Sequence, residues 1–162
     1  MLIRRSFVGV LVIMAAKPVL AHGPGHSMGG GKPGEAGKET RVIEVVATDN
    51  AFSLKALQVN DGETVRFVVR NDGVDLHEFL IGAASEHAEH RQMMKAMMEQ
   101  QKKGGHAHAM PTMEAHESGV SVASGKTESF VWTFARMPNL EFACDIPGHY
   151  EDGMHGAITF GR

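Results

Sequence analysis

The chain has 162 residues, 43% of them hydrophobic and 22% charged, with a formal net charge of −3. That is enough apolar chain for one domain with a proper core. The acidic balance argues against nucleic acid or an anionic membrane surface as a partner, and a single cysteine excludes an internal disulfide.

The first residues read as an export signal. Arg4 and Arg5 form a positive region, Phe7 to Ala16 an apolar run too short to span a bilayer, and Val19-Leu20-Ala21 ends in a small residue suited to cleavage. With residues 1–21 removed as a signal peptide, the mature chain has 141 residues. Three basic residues and no acidic ones leave with the signal, which moves the net charge to −6. The location implied is periplasmic. No later stretch is apolar enough for membrane insertion after cleavage.

Residues 22–40 are rich in Gly and Pro without an apolar period, which predicts a flexible tail. From Arg41 the pattern changes. Short β-rich runs follow at Val42–Ala47, Ala56–Val59, Thr64–Val69 and His77–Ile81, with turn signals at Asn60-Asp61-Gly62 and Asn71-Asp72-Gly73. Further runs come at Glu128–Phe134, Leu140–Ala143 and Ala157–Phe160. Roughly seven short strands separated by turns predict an all-β, Greek-key antiparallel β-sandwich over residues 41–162. Trp132 is most simply a core residue.

An insertion of about residues 82–119 interrupts the strands. A structureless loop of that length is uncommon in a compact domain. Glu86 to Lys103 lacks Gly and Pro and is full of Ala, Glu, Gln, Lys and Met, which predicts a helix with Ser85 as N-cap and Gly104-Gly105 as its end.

The residues that carry chemistry lie near the C-terminus. Cys144 is followed by His149 and Met154 in a Cys-x4-His-x4-Met loop. An unpaired thiol in an exported chain is a hazard unless it is buried, paired with another chain or bound to metal. Thiolate, imidazole and thioether on one loop suit copper, and a trigonal site of two histidines and one cysteine with a long, weak methionine bond is the blue-copper arrangement. Such a site needs a second histidine, for which Asp75-Leu76-His77-Glu78-Phe79 supplies a candidate at the start of a strand. His155, beside Met154, reads as a surface residue.

Together the Cys-x4-His-x4-Met loop, the upstream strand histidine and the strand pattern resemble the cupredoxins, the small blue-copper β-sandwich proteins, over about residues 41–162 outside the insertion. The resemblance implies a mononuclear type 1 copper with His77, Cys144 and His149 as in-plane ligands and Met154 as the axial one. It also implies that His149 is the electron exit, because cupredoxins usually expose that ligand's edge. Many cupredoxins carry Asn or Ser after the first histidine, where it helps tie down the cysteine loop; this chain has Glu78 instead. Ala143 and Asp145 beside the cysteine, where multicopper oxidases carry histidines, and the presence of only one cysteine speak against an oxidase or a dinuclear centre. No catalytic arrangement stands out, so the expectation is a binding protein and not an enzyme.

The insertion and tail hold a second set of donors. His87, His90, Met93, Met94, Met97 and Met98 fall near one another on the predicted helix, and His106, His108, Met110, Met113 and His116 follow. The tail adds His22, His26 and Met28. These are candidate accessory copper ligands, since thioethers prefer soft Cu(I) and imidazole also accepts Cu(II). The competing readings are Met packing on the sandwich, which Met does well, and a solvated tail with chance histidines. Among cupredoxins the combination looks like the periplasmic copper-tolerance proteins of the CopI type. It implies copper binding in copper tolerance or detoxification, with redox cycling at the cysteine centre and a redox or copper-transfer protein as partner. The alternative is an electron-transfer cupredoxin serving a respiratory or oxidase partner.

Overall fold

A computed structural model describes residues 29–104 and 116–161. Ten strands form two five-stranded sheets. In chain order they are β1 (Gly31–Pro33), β2 (Arg41–Thr48), β3 (Ala51–Phe52), β4 (Ala56–Val59), β5 (Thr64–Asn71) and β6 (His77–Ala83). Helix α1 (Ala84–Gly104) follows, then β7 (Gly119–Val122), β8 (Thr127–Phe134), β9 (Leu140–Ala143) and β10 (His155–Phe160). One sheet has the order β1-β8-β5-β2-β3 and the other β4-β10-β9-β6-β7.

All seven predicted strands are present, and the sandwich is as expected. Its sheets are nevertheless mixed and not purely antiparallel, because β2 runs parallel to β5 and β4 parallel to β10. The reason is the connectivity. The chain changes sheet between β3 and β4, β4 and β5, and β5 and β6, so strands that become neighbours are joined by crossovers and not by tight hairpins.

Strict alternation builds the core. In β5 the buried positions are Val65, Phe67, Val69 and Asn71, with less buried residues between them. The two inner faces meet in an aromatic cluster, in which Phe79 stacks on Phe142 at 5.2 Å and takes the edge of Phe52 at 5.2 Å. Trp132 is fully buried, as its sequence context suggests.

Strand β6 departs from alternation: every residue from His77 to Ala83 is buried. Phe79 and Ile81 join the inter-sheet core. The opposite face, with Glu78 and Leu80, is closed off by α1, which packs on β6 and β9. The helix starts at Ala84, not after a Ser85 cap. Glu86 takes the capping role, accepting the Ala83 N–H at 2.7 Å in the manner of a capping-box glutamate.

The tail expectation also needs correction. Gly31–Pro33, placed in a flexible segment by composition, is strand β1 and pairs antiparallel with β8. Both Glu86 carboxylate oxygens lie 2.9 Å from the Gly29 N–H, and the Trp132 indole N–H donates to the Gly30 carbonyl at 3.4 Å. Glycine serves close approach here: a Cβ at Gly31 would lie 2.3 Å from the Thr133 carbonyl oxygen and 2.5 Å from the Trp132 ring nitrogen.

Because Phe79 sits at the centre of this aromatic cluster, Phe79→Ala is expected to cost about 3–5 kcal/mol, read from denaturant unfolding of the metal-free protein.

Candidate metal centre

The loop between β9 and β10 is folded by its own backbone. The Cys144 N–H donates to the Met154 carbonyl at 3.0 Å, the Met154 N–H to the His149 carbonyl at 3.0 Å, and the His149 N–H to the Ile146 carbonyl at 3.0 Å. Gly153 has φ 97°, a left-handed conformation that glycine adopts without strain, and it turns the chain back toward Met154. These bonds hold Cys144 and Met154 against each other at the mouth of the loop, with His149 at its far end.

The first strand of the site is β6. His77 heads it, and its Nδ1 lies 3.2 Å from Nδ1 of His149, which in turn lies 3.4 Å from the Cys144 sulfur. His77, Cys144 and His149 therefore converge, each offering a donor atom within 4.8 Å of the others. Cys144, His77 and Met154 are 0% exposed and His149 is 9% exposed, so His149 alone of the four reaches toward solvent. His155 is exposed and stacks on Tyr150 at 4.1 Å, apart from this group.

The surroundings prepare these groups for a cation. Nε2 of His77 lies 2.8 Å from the Asp49 carboxylate. Donation of Nε2–H to that acceptor leaves Nδ1, which faces the cluster, as a bare lone pair. The Val74 N–H, and after it His77, hold the Asp49 carboxyl below its ordinary value. Burial pushes the Cys144 thiol up to about 12, even though the Glu78 N–H donates to the sulfur at 3.4 Å. Burial, followed by the neighbouring His77, lowers the His149 imidazole below its ordinary value. The result is two imidazole nitrogens and a thiol that holds its proton closing on one point, which fits a soft cation that can displace the thiol proton.

The contacts behind these groups were not visible in the sequence. Asp145, next to the cysteine, is fully buried and meets Nδ1 of His87 at 2.8 Å and the Arg91 guanidinium at 3.2 Å. Arg91 also lies 3.6 Å over the Tyr150 ring, whose hydroxyl donates to Glu141 at 3.0 Å. Helix α1 is thus bolted to the ligand loop through His87 and Arg91. The adjacency of Asp145 to the cysteine and of His87 to the predicted helix start were the available signals, but nothing in the sequence pairs them. Asp49 belongs to no motif and is found only through its contact.

The accessory candidates divide. His22, His26, Met28, His106, His108, Met110 and Met113 lie outside the described residues. His87 does not join an ion-capturing stripe: it is fully buried, with Nε2 3.5 Å from the Glu141 carbonyl and Nδ1 on Asp145. The physical reason is the buried Asp145 carboxyl, which needs a partner inside the protein. Met93 is 42% exposed, whereas Met94, Met97 and Met98 are half-buried. His90 and His116 come together instead, their rings 5.1 Å apart beside Glu78.

Residues 40–161 match the copper-binding proteins of the plastocyanin/azurin family. The chain belongs to that family. Its cofactor is copper. Three relatives carry the description copper-resistant cuproprotein CopI. That of Pseudomonas aeruginosa is 42% identical, with 84% of each chain covered. That of Rubrivivax gelatinosus is 40% identical over 80% of this chain and 72% of the relative, and that of Vibrio cholerae 38% identical over 79% and 70%. Among solved structures, auracyanin B superposes with a TM-score of 0.61 over 83% of this chain and 97% of its own, at 19% identity. A reduced auracyanin from Roseiflexus castenholzii gives 0.58 over 76% and 98%, also at 19%. At that identity the two structures speak for the fold, a cupredoxin sandwich.

Two outcomes follow for this site. In the metal-free protein the folded His149 binds its proton less readily than the unfolded chain does. Its contribution to stability is therefore complete above the ordinary value of 6.5 and is lost as pH falls through the lowered folded value. Thermal melts over about pH 8 to 5 should show this loss, and His149→Gln should flatten it. His87→Ala, which strips Asp145 of a partner, should destabilise the protein by about 1–3 kcal/mol in denaturant unfolding while leaving bound copper per chain unchanged.

Proposed function

We propose that this protein is an exported, periplasmic copper-binding cupredoxin that acts in copper tolerance, with His77, Cys144 and His149 as the strong ligands of a type 1 copper and Met154 as the weak axial one. The observation that carries the ligand assignment is the buried convergence of the cysteine sulfur with the two Nδ1 atoms, next to a buried Met154. One thiolate, two imidazoles and a thioether supply a centre that holds both Cu(I) and Cu(II) and exchanges one electron with little rearrangement.

The role in tolerance is supported by the relatives, each described as copper-resistant at 38–42% identity over most of this chain. It is also supported by the donors outside the centre. A carrier needs one insulated copper and a docking face, whereas a protein that takes up surplus copper uses further thioethers and imidazoles. The tail and insertion supply these at His22, His26, Met28, Met93, Met94, Met97, Met98, His106, His108, Met110 and Met113. In this reading they capture the ion, the centre holds copper or exchanges an electron, and a redox or copper-transfer partner meets the His149 side. The protein acts as a binding protein and not as an enzyme. Export is supported by the amino-terminal signal pattern, and among the described residues no helix is long and apolar enough to cross a membrane.

Copper titration of the mature protein tests the ligand set and the capture role together. Cys144→Ala should abolish the strong visible charge-transfer band while uptake of further copper persists; a surviving band would refute the cysteine assignment. Wild type should bind more than one copper per chain, and saturation at one would remove the capture role. A strain lacking the gene should become copper-sensitive. Unchanged tolerance together with a respiratory defect would instead mark an electron carrier.

A further inference from the structure

On the outer face of β6, one residue beyond His77, the Glu78 side chain is 1% exposed, and neither of its oxygens has a hydrogen-bond partner. A buried carboxyl without partners is costly, and native structures rarely leave one so. Two imidazoles face it. His116, in the segment leading into β7, brings Nε2 to 3.6 Å from Glu78 Oε1. His90, one turn beyond His87 on α1, has a buried Nε2 that also lacks a partner. The two rings meet edge to face with centroids 5.1 Å apart. Glu78, His90 and His116 each present a donor atom within 4.8 Å of the other two.

We propose that Glu78, His90 and His116 form a second metal site, distinct from the cysteine centre, that takes a divalent borderline cation such as Zn(II) or Cu(II). One carboxylate and two imidazoles are the donors such ions prefer, and the group contains no sulfur to favour Cu(I). Three protein ligands leave a coordination position for water or a further donor. A bound dication gives the buried Glu78 carboxylate, whose oxygens make no hydrogen bond, a compensating charge. Burial lowers the His90 imidazole against the pull of Glu78 and Asp145, which keeps it nearer the neutral form that ligates metal. The site draws on three separate parts of the chain, β6, α1 and the entry to β7, so an ion there clamps the insertion onto the sandwich.

The position also links the two centres. The peptide N–H of Glu78 donates to the Cys144 sulfur, and His77 is the preceding residue. A dication on the Glu78 side chain therefore sits beside the cysteine centre, where its field favours the less positive, reduced copper. Occupancy of the second site should raise the reduction potential of the first. This also gives Glu78 a purpose at the position where many cupredoxins carry Asn or Ser.

The test is Zn(II) binding to the full mature protein with copper already at the cysteine centre, measured by competition with a chromophoric chelator. Zinc is redox-silent, so the visible copper band reports the cysteine centre separately. Wild type should bind Zn(II), and His90→Gln and His116→Gln should each remove one equivalent or weaken it at least about tenfold, with the copper band retained. Glu78→Gln should do the same; because it alters the β6 interior, the two histidine variants stand as the independent check. Equal zinc stoichiometry and affinity in wild type and both histidine variants would overturn the proposal, as would a wild type that binds no zinc beyond the cysteine centre. Absence of the copper band from wild type would count against the cysteine ligand set alone, since zinc binding at Glu78, His90 and His116 does not depend on it.

Discussion

A thiol with no access to water is the constraint around which this protein is arranged. Cys144 is fully buried, and burial drives its pKa to about 12, so at neutral pH the sulfur keeps its proton unless a cation replaces it. Everything that touches it favours that replacement. The Glu78 N–H points at the sulfur, and His149 offers its Nδ1 from the same loop. His77 offers its own Nδ1 from the neighbouring strand because Asp49 engages the other ring nitrogen. Metal binding is thereby coupled to proton release and to the integrity of the loop.

The helical insertion is part of this arrangement and not an appendage. Without α1 the outer face of β6 would lie open, and Glu78 and Asp145 would be exposed carboxylates of no special character. With it, Asp145 is enclosed between His87 and Arg91 immediately beside the cysteine, and Glu78 is enclosed with His90 and His116. The first enclosure is closed by hydrogen bonds between protein groups, whereas in the second neither Glu78 oxygen nor His90 Nε2 makes one. That difference separates a positioning network from a candidate ion site, although both draw their histidines from one helix.

Much of the fold was legible because strands that alternate in burial announce themselves. The run Thr64–Val69 reads as a half-buried strand, and it is one. The cysteine, histidine and methionine of the loop were legible because a thiol, an imidazole and a thioether at short spacing have few other reasons to coincide. Three features were not. The direction of β2 against β5 depends on crossovers that local pattern does not encode. The glycines before Pro33 looked like flexibility, yet Gly31 is needed because Trp132 and Thr133 leave no room for a side chain. His87 looked like one more donor in a stripe, because helical spacing shows which residues share a face but not which buried carboxyl a neighbouring loop will present to it.

The central claim is that copper sits on the Cys144 sulfur between His77 and His149. X-ray absorption at the copper edge of the loaded protein tests it most directly. The proposed ligand set predicts one short copper–sulfur bond and two imidazole nitrogens in the wild type, with the short sulfur lost in Cys144→Ala. A shell of nitrogen, oxygen and thioether donors with no short sulfur in the wild type would contradict it.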